Sequence, residues 1–218
     1  MLKLLFKLAV GVLALPFAVG ASAALYRNII LIKELAHSMN YFLWGAAGYA
    51  ILHLLFYKPT YIYVLGHEAV HAGIAWIFGG KIKSFKASEK GGSVTTNKSN
   101  TVIELGPYFI PIYAILITIV YFLIASSYNV NSSIFMFLIG FALAFHVIST
   151  VEVMKVRQPD IIKSGYFFSV VLVYALNIIV ISVIFALIFP GFGMKNFFID
   201  MWSESMHIYV AVVRQLFF

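Results

Sequence analysis

Long apolar runs constrain this chain more than any other feature, and they fall at about 8–25, 40–57, 60–79, 102–126, 133–153 and 166–189. Each reaches or approaches the ~20 residues that carry a helix across ~30 Å of hydrocarbon. In lipid a helix satisfies its own backbone hydrogen bonds, so such a pattern folds as packed helices. Only 11% of the 218 residues are charged and 62% are hydrophobic, which leaves too little polar surface to clothe a water-soluble domain. The same composition excludes disorder. Tyr26, Tyr41, Trp44, Tyr57, Tyr61 and Tyr166 stand near run ends, where amphipathic rings favour the membrane interface. The expected fold is an all-α membrane protein of about six transmembrane helices.

The polar remainder is informative. The net charge of +7 in so apolar a chain reads as loop charge facing anionic lipid, not as a nucleic-acid footprint. Six alternating spans place segments 26–39, 80–101 and 154–165 on one face, with ten of the fifteen Lys and Arg, among them Lys33 and Arg157. The positive-inside rule makes that face cytoplasmic and puts both termini outside. Lys3, Lys7 and Ala21-Ser22-Ala23 also fit a secretory signal peptide. Its removal would move the Lys-rich 80–101 segment outside, so the charge bias favours a retained first span. Segment 80–101 holds Ile82, Phe85, Gly91-Gly92 and Val94-Thr95-Thr96, a pattern for a short β-hairpin or an ordinary solvated loop. In the tail, Phe198, Met201, Trp202, Met206 and Tyr209 recur at helical spacing, which predicts an interfacial amphipathic helix. Oligomeric state leaves no mark in the pattern.

The third run contains Gly66-His67-Glu68-Ala69-Val70-His71, an H-E-x-x-H match. Four residues advance a helix by a little over one turn, so His67 and His71 share a face and can reach one Zn²⁺. Glu68 sits where it can accept a proton from the water that such a metal activates. With six His and six Glu in the chain, a chance match is on the order of 0.5%. Ionisable side chains inside a lipid-crossing helix cost about 2.5–3.5 kcal/mol each on insertion scales, so they mark function more often than packing. The chain has no cysteine, so His and carboxylates must supply every ligand.

A catalytic zinc keeps three protein ligands and an open position. Glu104, His146, Glu152 and Asp160 are candidates for the third. His71 lies roughly 12 Å below the membrane face at which its run ends. His146 lies at nearly that depth. Asp160 follows Pro159, which disfavours helix at Gln158 and can let the connection dip inward. Glu104 sits near the surface, and Glu152 is spaced to pair with Lys155 at i+3. Depth and spacing leave Asp160 and His146 level.

Three stretches occur in order: Gly66-His67-Glu68-Ala69-Val70-His71, Leu105-Gly106-Pro107 and Pro159-Asp160. In them the chain resembles the site-2 protease family of intramembrane zinc metalloproteases, in particular its short bacterial members. The family's usual Asn-Pro-x-x-Asp-Gly is replaced by Gln158-Pro159-Asp160-Ile161-Ile162. The resemblance implies that His67, His71 and Asp160 bind zinc and that Glu68 is the catalytic base. His146 then hydrogen-bonds a ligand or faces substrate, and Asn177 links helices or holds a substrate backbone. It also implies a core at 60–189; the two N-terminal helices at 1–59 and the amphipathic tail at 190–218, read from the apolar pattern, lie outside the resemblance. The expected activity is hydrolysis of membrane-protein substrates in a bacterial cytoplasmic membrane. The rival reading is a metal-ion or proton transporter whose His and Asp side chains line a path.

Overall fold

The structure, a computed structural model, describes residues 2–31, 36–128, 131–156 and 158–217. Lys33 and Arg157 lie outside the described residues, as do the side chains of Lys3 and His37. The described elements are α1 (Leu2–Ile30), α2 (Ala36–Leu55), α3 (Thr60–Ile77), β1 (Ile82–Ser88), β2 (Gly91–Thr96), α4 (Thr101–Leu105), α5 (Ile112–Ala125), α6 (Ser132–Met154), α7 (Pro159–Ser164), α8 (Tyr166–Ile188) and α9 (Met194–Phe217). Contacts divide the chain into two compact units, Met1–Leu35 with Pro159–Phe218, and Ala36–Gln158. This partition follows packing and runs along different lines from the 1–59, 60–189 and 190–218 division expected from sequence motifs.

Among the described residues, three helices are long and apolar enough to cross a membrane: Leu5–Ile30, Ser132–Met154 and Tyr166–Ile188. Two bent pairs raise the number to five if each is one span. Ser38–Leu55 and Thr60–Ile77 meet at 119°, and Thr101–Tyr108 and Ile112–Ala125 meet at 75°. Both breaks carry proline, at Pro59 and Pro111, where the missing N–H and the ring end regular helix. Hence the run at 102–126 is two short pieces joined by a 3-10 turn at Gly106–Tyr108.

In the 36–158 unit, α2 and α6 cross closely at two glycines, and beyond that crossing their registers rise together. A Cβ at Gly140 would strike the Phe42 carbonyl, and one at Gly45 the Phe137 carbonyl. Further along, Tyr49 packs edge-on to Phe141 and Phe145 at 5.1 and 5.3 Å, and His53 meets Glu152. The two helices are therefore parallel, with glycines letting their backbones touch. Helix α5 runs antiparallel to α6, as Tyr121 stacks on Phe135 and Tyr113 on Phe145.

This geometry corrects the six-run alternation, in which α2 and α6 run opposite ways. Lys58 Nζ stands 2.6 Å from Glu152 Oε1, although the sequence reading put them on opposite faces and paired Glu152 with Lys155. Counting α2 and α3 as one bent span restores a common direction for α2 and α6. The physical reason is the 119° bend at Pro59, where the missing N–H and the ring end regular helix. In the other unit α1 and α8 are also parallel: Lys7 Nζ reaches the Lys163 carbonyl, Gly11 abuts Phe167, and Ser22 Oγ meets Tyr174 Oη at 2.7 Å.

The polar hairpin expectation holds. Strands β1 and β2 are antiparallel, with Phe85 opposite Val94 and Ala87 opposite Gly92, and an irregularity between Ile82 and Ser84. The tail differs from its expected interfacial placement, because α9 packs lengthwise and antiparallel on α1. Tyr209 bonds the Leu13 carbonyl, Arg27 pairs with Glu204 at 2.6 Å, and Asn28 donates to Asp200 at 3.0 Å. The polar stripe of α9 thus faces α1, while Phe198, Trp202, Val213 and Leu216 are exposed.

The glycine contact gives a direct test. Gly45→Ala or Gly140→Ala forces a methyl into a facing carbonyl and should cost about 1–3 kcal/mol. Gly48→Ala, whose new methyl finds ordinary contact with the Phe137 ring at 3.6 Å, should be neutral. Thermal unfolding of the detergent-purified protein separates the two cases.

Candidate metal centre

Helix α3 carries Tyr63, His67 and His71 at four-residue spacing, so they stack along one face. The imidazole rings of His67 and His71 are 4.8 Å apart between centres, at 78°. The neighbouring stripe of Val70 and Ile74 is apolar and buried, and it packs with Ala75 against Ile103 of α4. Gly106 fits under this stripe because a side chain there would collide with Ile74. The Leu105-Gly106-Pro107 stretch therefore has a local reason: it lets α4 seat closely on α3.

That seating brings the Ile103 carbonyl 2.7 Å from His71 Nδ1. A carbonyl can only accept, so Nδ1 carries the proton and the lone pair lies on Nε2. This is the tautomer a metal requires of an imidazole held from behind. At His67, Tyr63 Oη lies 3.2 Å from Nδ1, and the Tyr108 ring stands 5.0 Å away at 83°. The sequence reading missed Tyr63, although its place one turn before His67 was visible in the helical spacing. Ile103 acts through its backbone, which no side-chain motif announces.

Glu68 lies one position round the helix and is only 7% exposed. The hairpin touches it directly. A Cβ on Gly92 would fall 2.6 Å from Glu68 Cγ and 2.8 Å from Oε1. The start of β2 thus closes over the carboxylate, and glycine is what permits the approach.

Beside His67 is a cavity of about 20 Å³, with Tyr63, Pro107, Tyr113 and His146 in its wall. It is large enough for one water and polar enough to hold it. His146, 8% exposed on α6, therefore shares a cavity with His67. Glu104 accepts from Ser99 Oγ at 2.7 Å, and Glu152 is taken up by Lys58 and His53. Asp160 stands half-buried in the first turn of α7, in the other unit. Asn177, midway along α8 in that unit, donates to the Val173 carbonyl of its own helix at 2.9 Å.

No protein-family model, curated protein or solved structure matches the chain. What the site can do rests on its own chemistry: paired imidazoles with one tautomer set by the backbone, a buried carboxylate beside them, and a backbone strand across that carboxylate.

The hairpin contact is open to a simple check. Gly92→Ala should push β2 off Glu68 and speed backbone hydrogen exchange across 82–96, with helix exchange unchanged. Ser93→Ala, at an exposed position in the same strand, should leave exchange as it is.

Proposed function

We propose that the chain is an intramembrane zinc metalloprotease of a bacterial cytoplasmic membrane, hydrolysing peptide bonds of membrane-embedded protein substrates. The observation that carries this reading is the pair of imidazoles set edge to face on α3, His71 oriented by the Ile103 carbonyl, with buried Glu68 beside them. The donor set suits zinc, since imidazole nitrogen and carboxylate oxygen are its usual partners in a chain without thiols. His67 and His71 are two of the proposed ligands, and Asp160 is the third by its motif. When bound, zinc activates a water and polarises the scissile carbonyl.

Glu68 accepts the proton of the attacking water and returns it to the leaving amine. Its burial keeps the carboxylate away from bulk solvent, where its basicity would be screened. Tyr63 holds His67 from behind, as the Ile103 carbonyl holds His71. A transmembrane helix satisfies its own backbone, so a substrate must unwind before it is cut. The outer edges of β1 and β2 offer an extended substrate strand a place to pair. As for the crossings, the parallel pairs support five, with each bent pair counted as one span.

Metal analysis of the purified protein should give about one zinc per chain. His67→Ala, His71→Ala and Asp160→Ala should each lose it. Glu68→Gln should keep the metal and reduce cleavage of a membrane-spanning reporter by roughly 10²–10⁴-fold. Zinc uptake into proteoliposomes that persists in Glu68→Gln, with no cleavage by the parent protein, would instead identify a transporter. Tyr63→Phe should weaken zinc binding by roughly 10-fold to 100-fold in chelator competition.

A further inference from the structure

A second cluster of ionisable side chains lies in the same unit, away from the imidazole pair. At the elbow between α2 and α3, Glu152 Oε1 is 2.6 Å from Lys58 Nζ, and Glu152 Oε2 is 3.1 Å from His53 Nε2. Tyr49 Oη holds His53 Nδ1 at 2.8 Å. These groups ring a chamber of about 90 Å³, with Thr60, Tyr63 and Ser149 also in its wall.

The exposure of the wall is graded. Lys58 and Thr60 are exposed, Glu152 is intermediate, and His53 and Ser149 are buried, the His53 side chain at 4%. The chamber therefore opens at Lys58 and deepens toward Ser149. Three ionisable groups at one mouth would be costly against lipid, so that mouth faces water or headgroups. Polar cavities of this kind hold water, and about 90 Å³ has room for several molecules.

Tyr63 is the decisive residue. Its side chain lines this chamber and also the 20 Å³ cavity that His67 and His146 share, and its hydroxyl is the one beside His67 Nδ1. Tyr63 thus belongs to the wall of both spaces.

We propose that the chamber ringed by His53, Lys58, Ser149 and Glu152 is a solvent vestibule, which delivers water toward His67 past Tyr63. The hydrated mouth is at the α2–α3 elbow. Water and substrate then have separate entrances, because the hairpin covers Glu68 on its own side. As a supply to a hydrolytic centre, the vestibule rests on the metalloprotease reading. As a hydrated path, it stands on the chamber alone.

The chain has no native cysteine, so single introduced thiols report accessibility without background. Ser149→Cys, Ile139→Cys and Ala142→Cys are made in the full chain, reconstituted in vesicles and treated with a small membrane-impermeant methanethiosulfonate. Ser149→Cys lines the vestibule, Ala142→Cys lines the inner cavity, and Ile139→Cys is buried in α6 away from both. Ser149→Cys should react at least about tenfold faster than Ile139→Cys, which waits on local opening. Ala142→Cys should be slow in the parent background and fast when Tyr63→Ala is added. Equal rates at Ser149→Cys and Ile139→Cys would overturn the vestibule, and an Ala142→Cys rate indifferent to Tyr63→Ala would overturn the role of Tyr63. Bound zinc is measured on the Ser149→Cys and Ile139→Cys samples, which keep Tyr63. Labelling as expected without zinc defeats the metalloprotease and leaves the path, whereas zinc with equal rates defeats the path and leaves the metalloprotease.

Discussion

The hydrogen bond from His71 Nδ1 to the Ile103 carbonyl joins two requirements that a buried site must meet together. It satisfies a polar ring in an apolar chain, where an unbonded donor costs about 1–3 kcal/mol. It also sets the tautomer, so that Nε2 presents its lone pair. The bond exists because Val70 and Ile74 dock on α4 with Gly106 beneath them. Loosening that apolar seat would free the imidazole to rotate and remove the orientation on which the rest of the site depends.

Around this bond the 36–158 unit handles its polar groups by placing each in a specific setting. The histidines of α3 are backed by a hydroxyl and a carbonyl, Glu68 lies under a backbone strand, and Glu152 sits between Lys58 and His53. Groups that would be prohibitive one by one in hydrocarbon become tolerable when paired or hydrated. The parallel contact of α2 and α6 sets the last of these pairs. It requires backbone touching backbone at Gly45 and Gly140, and so it aligns the end of α2 with the end of α6. The other unit does the same: Arg27 pairs with Glu204, and Asn28 donates a hydrogen bond to Asp200, between α1 and α9.

Much of the site was legible because helical spacing is local. His67, Glu68 and His71 share one helix, and their relative positions follow from 3.6 residues per turn. The hairpin was legible in Gly91-Gly92 and the β-branched residues after it. The roles of Tyr63 and Gly92 were only half visible, since one needs the rotamer of a side chain and the other the approach of a strand. Glu152 was misread because i+3 spacing suggests Lys155, while a partner from α2 stands 2.6 Å away. The tail was misread for a related reason: periodicity shows which residues share a face, but not which face is covered.

From residue order alone came the helical character, the hairpin and the imidazole pair, because each depends on contacts within a few residues. Tertiary structure alone decided that α2 and α6 are parallel, that α3 turns back, that α9 lies along α1, and that Ile103 holds His71. Those outcomes rest on glycine-sized gaps and facing carbonyls between segments distant in sequence. Such complementarity is a property of two surfaces in contact, and no single stretch of the chain encodes it.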